Sequence, residues 1–499
     1  VSQLLGYAYL VEDLSLQVFP IARPAIIRPV TRVEAMGDCL AVPQKLAPRL
    51  GDHLAHVLFA LKHEGVNLAV LSQALPKLDA TNLLSALATA PSGAYIRKAC
   101  WLWETFTGQQ LPVHGGPKGN AVPLFDPDRY ITGPSVRNAR WRVDFNGLGS
   151  LAYCATVERT PALLTLLDFD VLGRSRAFIK SLPAEMMDRA LQWAYLHETR
   201  DSFAIEKEAP SQDKAERFVQ LLRQAHERQP LTEDYLVSLQ SSTISNPILT
   251  AAAFRHQQNH LSNGLRGAAG VSYVPPPPSL CRELMHELMD FANSAPQLID
   301  PLVAAGVISF GFVFLHPFMD GNGRLSRFLI HQTLCRSGAL EDGLLLPISV
   351  AMKREEQAYL QALQTYSRPA RMFWDVTWLD AEDVDLQFTG HPSVYRYWDA
   401  TACVEFTLEM ARRALEVELR EETAFLQAYD HVVAAVNARF DLIGSDLSKL
   451  VMMCLDQGGV VSQNRRKQFQ YTVPAAAFDY IEEQARLALS GRTAEVDGD

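Results

Sequence analysis

Two apolar stretches of helical length, Leu302 to Leu315 and the one opening at Phe328, are joined by twelve residues, H-P-F-M-D-G-N-G-R-L-S-R, from His316 to Arg327. The uncharged run between Asp300 and His316 is expected to form a helix buried on every side. It falls short of the roughly 18–20 apolar residues that a membrane span needs. A helix ending at His316 places the imidazole at its carboxyl end, and the Gly-Asn-Gly turn launches the next helix with its first N–H groups unpaired. Glycines on either side of Asn322 let the backbone take positive φ and form a concave nest of donors. Arg324 and Arg327 lie one helical turn apart and project to one side. Asp320 offers a hard oxygen of the kind Mg²⁺ on nucleotide phosphates accepts. These are the parts that handling a triphosphate requires.

At 499 residues the chain exceeds what one core accommodates, so two to four domains are expected. Hydrophobic residues make up 48% and charged residues 20%, the balance of an ordinary globular protein. A net charge of −10 argues against a surface built as a whole for nucleic acid. Seven cysteines without a C-x-x-C pair fit reduced thiols better than a disulfide framework or a zinc site. Glu12 and Asp13 interrupt the first apolar run, so no signal peptide is expected there. A cytoplasmic location follows.

Along the chain, Leu54 to Gly65 and Tyr95 to Phe106 read as helices of a compact N-terminal part. A Gly/Pro-rich connector runs from Gly115 to Pro134, and Arg140 to Leu164 reads as irregular structure or short strands. Helices are expected again over Ala184–Arg200 and Lys214–Arg228, the second with Ser211 as its cap. After four prolines, Ser279 is the expected cap of a helix whose Leu280, Leu284, Leu288 and Phe291 share one face. A charged helix spans Cys403 to Leu426. The end reads as helix from Asp446, glycine turn, extended segment around V-S-Q-N-R-R-K-Q-F, then helix from Ala475. That order suggests a winged-helix-like unit, with Arg465, Arg466 and Lys467 as a basic turn.

The twelve-residue segment resembles the signature of Fic-domain proteins, H-x-F-x-(D/E)-G-N-G-R-x-x-R, at every defining position: His316, Phe318, Asp320, Gly321, Asn322, Gly323, Arg324 and Arg327. The resemblance implies an all-α fold, a Fic-type helical bundle with a short β-hairpin flap. It implies that His316 deprotonates a protein hydroxyl and that Asp320 holds Mg²⁺. Gly321, Asn322, Gly323 and Arg324 would cradle the phosphates of ATP, Arg327 would meet the γ-phosphate, and Phe318 would anchor the loop in the core. The flap is expected near Gln258 to Leu265, with Asn259, His260, Leu261 and Ser262 docking the target by strand pairing and Asn263-Gly264 as its turn.

Many Fic proteins also carry an inhibitory (S/T)-x-x-x-E-(G/N) helix. Ser202 and Glu206 match it in type and spacing, 110 positions before His316, although Lys207 stands where glycine or asparagine is usual. Glu206 is expected to pair with Arg327 in the γ-phosphate's place. The domains are then a helical one over 1–115, a mixed connector over 116–182, the core over 183–372, and a C-terminal helical or winged-helix-like one over 373–499. The expected activity is that of a protein adenylyltransferase, moving AMP from ATP to a serine, threonine or tyrosine hydroxyl and restrained by Glu206. Its partner is a protein substrate, with self-modification and a homodimer allowed and no membrane. Two alternatives stay open: removal of AMP, and a nucleotide-responsive DNA-binding regulator.

Overall fold

The computed structural model describes residues 3–113, 116–244, 249–265, 268–340, 343–379 and 384–496. The expected edge of the N-terminal domain at Gly115 lies outside them. The chain divides into two compact units. One comprises Val1–Asp170, Thr199–Gly343 and Met352–Met410, and the other Val171–Glu198, Leu344–Ala351 and Ala411–Asp499. The fold is mostly helical with only small sheets.

In the first unit the N-terminal residues are less helical than their pattern predicts. Leu4–Leu5, Ala25–Ile27, Cys39–Val42 and Glu34–Met36 form a four-stranded sheet in that order, ahead of the helices His53–His63 and Ala94–Thr107. Strands of two to four residues are too short for a period of two to register. The helix Gly6–Asp13 lacks a side-chain cap at Leu5. Instead the Gly6 N–H donates to His56 Nδ1 at 3.0 Å and the Tyr7 N–H to Glu64 Oε1 at 3.0 Å. A Cβ on Gly6 would sit 1.6 Å from that carboxylate oxygen, so only glycine fits there. Arg140 to Leu164 resolves into the short strands Val143–Phe145, Leu148–Gly149 and Cys154–Thr156 and the start of a helix at Pro161.

The helix Pro301–Leu315 is the centre of this unit. Asp300 caps it by accepting from the Leu302 and Val303 N–H groups, and thirteen of its fifteen residues are buried. An evenly apolar surface of that kind is stable only when packed on all sides. The helices Pro278–Ser294 and Asn322–Ser337 flank it, and Leu280, Leu284, Leu288 and Phe291 are buried as their spacing predicts. Ser279 does not cap its helix. Pro277 holds that position, and Pro278 supplies the fixed φ that starts a helix.

In the second unit, Arg420–Asn437, Gly444–Asp456 and Ala475–Val496 pack around Val432, Val436, Leu450, Val451 and Ile481. The expected extended segment is instead a helix, Gln463–Phe469, begun by Ser462 accepting from the Arg465 N–H. Among the described residues no strand follows Asp399. The cap residue, unweighed in the sequence reading, decides between the two forms.

Burial pushes the Glu64 carboxyl up to about 8, against an ordinary 4.5, and its Oε2 has no hydrogen-bond partner. A raised carboxylate pKa gives stability that is complete below about pH 4.5 and is lost as the pH climbs to about 8. Glu64→Gln removes this titration. Thermal unfolding at pH 5 and pH 8 is expected to show a smaller drop for the variant than for the wild type; equal drops would contradict it.

Candidate functional site

The loop between the two central helices is stapled from within. The Asn322 side chain accepts from the Phe318 N–H at 3.0 Å and donates to the Phe318 carbonyl at 2.8 Å. Both ends of the amide are thus committed to the loop, and Asn322 faces an anion only through its backbone. Phe318 is buried edge-on against Phe254, with ring centres 5.6 Å apart. Gly321 takes φ 89° as the residue preceding the helix Asn322–Ser337, which has no side-chain cap. Its first-turn N–H groups are therefore available to an anion.

His316 ends the central helix in the left-handed region, φ 51° and ψ 58°. Its Nδ1 lies 3.2 Å from the Val313 carbonyl. A carbonyl only accepts, so Nδ1 carries the hydrogen and Nε2 the lone pair. Burial pushes the imidazole down to about 4. The Arg255 cation acts in the same direction, while the Val313 carbonyl, Glu206 and Asp320 oppose it. At neutral pH the ring is an uncharged base.

Arg324 and Arg327 are each 1% exposed and meet one short segment, Ser202 to Glu208. Arg327 donates from Nε to Ser202 Oγ at 3.0 Å, and from Nη2 to the Ser202 carbonyl at 2.6 Å and Glu206 Oε1 at 2.9 Å. Arg324 donates from Nη1 to Glu208 Oε2 at 2.9 Å and to the Thr243 carbonyl at 3.0 Å. Its guanidinium lies 5.1 Å from the centre of the Phe203 ring. Glu206 Oε1 rests over the glycine turn, where a Cβ on Gly323 would come within 2.0 Å of it.

The donors around that carboxylate suit an anion larger than it. Arg327 Nη1 and Arg324 Nε have no acceptor, and Nη1 faces the space beside Gly323. Asp320 uses Oδ1 alone for both of its hydrogen bonds, from the Gly321 N–H at 2.6 Å and Arg324 Nη2 at 3.3 Å. One carboxylate fits Mg²⁺ bound mainly by phosphate oxygens and water.

A hairpin stands at the expected place, but Leu261–Ser262 pairs antiparallel with Val271–Tyr273, a strand beyond the expected span of Gln258 to Leu265. Gly264 has φ 84° in its turn. Leu261 and Ser262 are exposed and His260 is half-buried. Asn259 turns inward instead, buried, with Nδ2 donating to the Phe318 carbonyl at 3.0 Å, so its side chain braces the motif loop. In the second unit, Arg466, on the helix Gln463–Phe469 and not in a turn, is engaged by Asp479 and Glu482.

The model of the Fic/DOC family matches residues 230–334. The chain carries a Fic domain over these residues. The matched residues take in the hairpin and the motif and stop short of Ser202–Glu208. Among curated relatives, protein adenylyltransferase fic-1 of Caenorhabditis elegans is 36% identical over 67 residues, 13% of each chain. Protein adenylyltransferase Fic of Nematostella vectensis is 36% identical over 67 residues, 13% of this chain and 16% of that one. A probable protein adenylyltransferase of Aquifex aeolicus is 32% identical over 95 residues, 19% of this chain and 27% of that one. The chain thus spans only a minor part of each relative's length. A Fic family protein from Desulfovibrio desulfuricans G20 aligns at 20% identity over 62% of this chain and 87% of that one, with a TM-score of 0.40.

Two residues around the Fic motif escaped sequence reasoning. Glu208 follows Glu206 by two and reaches the other arginine; the acidic pair in E-K-E was its only trace. Arg255, three residues before the expected start of the flap at Gln258, donates from Nε to the His316 carbonyl at 2.9 Å, and no periodicity marks such a bond. Lys207 explains how Glu206 and Glu208 reach different arginines. It takes φ 59° and closes the helix Ala184–Ile205 with paired bonds, Lys207 N–H to the Ala204 carbonyl at 3.0 Å and Glu208 N–H to the Phe203 carbonyl at 3.1 Å. This is the helix ending that glycine or asparagine suits best. A side chain in the left-handed region costs about 1–2 kcal/mol, so Lys207→Asn is expected to add about 0.5–1 kcal/mol of stability. Lys207→Val is expected to subtract from it. Melting temperatures that move the opposite way for either would contradict this.

Proposed function

We propose that the protein is an adenylyltransferase that moves AMP from ATP to a hydroxyl group on a protein, and that it rests in a state blocked by its own Glu206. The observation that carries the reading is the contact of Glu206 with Arg327 over Gly323, beside a neutral, buried His316. The names of the matched relatives support the reaction class. In the reaction the hydroxyl oxygen bonds to the α-phosphorus, the bond from that phosphorus to the β-bridging oxygen breaks, and pyrophosphate leaves. The hydroxyl proton passes to His316 Nε2. Asp320 would hold Mg²⁺, which when bound spreads and neutralises phosphate charge.

The first-turn N–H groups and Arg324 then orient the phosphates, and Arg327 receives the γ-phosphate once Glu206 withdraws. The hairpin would hold the target as an added strand at Leu261–Ser262, leaving side-chain choice loose. Which protein is modified is set beyond these residues, and self-modification is the simplest case. The seven cysteines are buried and form no disulfide, which suits a cytoplasmic setting, and among the described residues no helix is long and apolar enough to cross a membrane.

ATP labelled at the α-phosphate tests the reading. Glu206→Gly is expected to label itself or a target at least tenfold faster than the wild type, and adding His316→Ala is expected to abolish labelling while ATP still binds. Unchanged labelling on losing Glu206 would remove its regulatory role, and labelling without His316 would remove the base. Glu208 adds a second restraint on Arg324. Glu208→Gln is expected to raise labelling as well, by less than Glu206→Gly, because Arg324 keeps the Thr243 carbonyl and Asp320. A Glu208→Gln rate equal to the wild type would leave that contact without regulatory weight.

A further inference from the structure

Three consecutive carbonyls of the motif loop are held by the arm that leads into the hairpin. The His316 carbonyl accepts from Arg255 Nε at 2.9 Å, the Pro317 carbonyl from the Arg255 backbone N–H at 2.7 Å, and the Phe318 carbonyl from Asn259 Nδ2 at 3.0 Å. The rest of the Arg255 guanidinium spans the hairpin's two ends. Nη1 donates to the Gln257 carbonyl at 3.1 Å on the way in, and Nη2 to the Pro276 carbonyl on the way out.

Arg255 is 4% exposed, and its guanidinium donates to three backbone carbonyls. Burying a cation without a counter-ion costs several kcal/mol. A neutral side chain could join two of these strands of backbone; the planar fork of donors is what joins three. One of the three is the carbonyl of a residue in the left-handed region, an attitude that persists only where neighbours impose it.

We infer that Arg255 is a positioning residue for the transfer reaction, locking the backbone of His316 to both arms of the hairpin so that the docked target and the base share one frame. The inference rests on the proposed adenylyl transfer for its kinetic consequence, and on the structure alone for its effect on His316. The Arg255 charge also disfavours protonation of the imidazole, against Glu206 and Asp320, which favour it.

Arg255→Met and Arg255→Lys, each placed in the Glu206→Gly chain, separate the two effects. The first measurement is the titration of His316 by nuclear magnetic resonance of histidine-labelled protein, assigned by the signal lost in His316→Ala. Met is expected to move the titration to higher pH, and Lys to leave it near the parent. The second is labelling at saturating ATP. Both variants are expected to lose about tenfold or more in rate, the scale set by misplacing a reacting group, with ATP affinity within about threefold of the parent by the same argument.

A Met variant with the parent's titration, or a Lys variant with the parent's rate, would overturn the inference. So would a loss of ATP binding in step with labelling, since that marks general damage. If the parent does not label while the Met titration still shifts, adenylyl transfer is the reading that falls and the hold on His316 stands.

Discussion

Arg327 is the pivot of this structure. A guanidinium that is 1% exposed is tolerated only where acceptors replace its water, and here they come from one turn of helix, Ser202 and Glu206. In the proposed resting state this is an anion site filled by the protein's own carboxylate. Its geometry depends on Gly323, which leaves room for Glu206 Oε1 where a Cβ would collide. It also depends on a left-handed Lys207 that stops the helix at the right residue. Arg324 is held in parallel by Glu208 and Phe203. One segment therefore restrains both arginines of the motif.

The remaining contacts keep the motif loop from moving when that segment does. Asn322 ties both ends of its amide to Phe318, Asn259 shares the same carbonyl, and Gln240 Nε2 reaches the Asp320 carbonyl at 3.2 Å. Phe318 is packed beneath. Such redundancy places His316, Asp320 and the glycine turn on a rigid base, which is what charge stabilisation without reorganisation requires. The segment Ser202–Glu208 meets the motif through the side chains of Arg324 and Arg327 and not through the loop backbone that these contacts hold.

Much of this was legible in the sequence because the relevant signals are local and dense. The motif fills eight defined positions in twelve, and the apolar run before it has one physical solution, a fully buried helix. Ser202 and Glu206 were found through the resemblance to the family's inhibitory helix, which they match in type and spacing. What escaped were contacts between distant residues with no periodic mark: Glu208 on Arg324, Arg255 on the His316 carbonyl, Asn259 turned inward. The N-terminal sheet escaped because its strands are shorter than the pattern that reveals strands. The helix Gln463–Phe469 was misread as extended because one capping serine outweighed a run of polar residues.

The central claim is that Glu206 occupies the γ-phosphate's place on Arg327. Calorimetric affinities for ATP and ADP, compared between the wild type and Glu206→Gly, test it directly. The account predicts that the wild type distinguishes ATP from ADP weakly and that the variant gains a clear preference for ATP. An equal ratio of the two affinities in both proteins would contradict it.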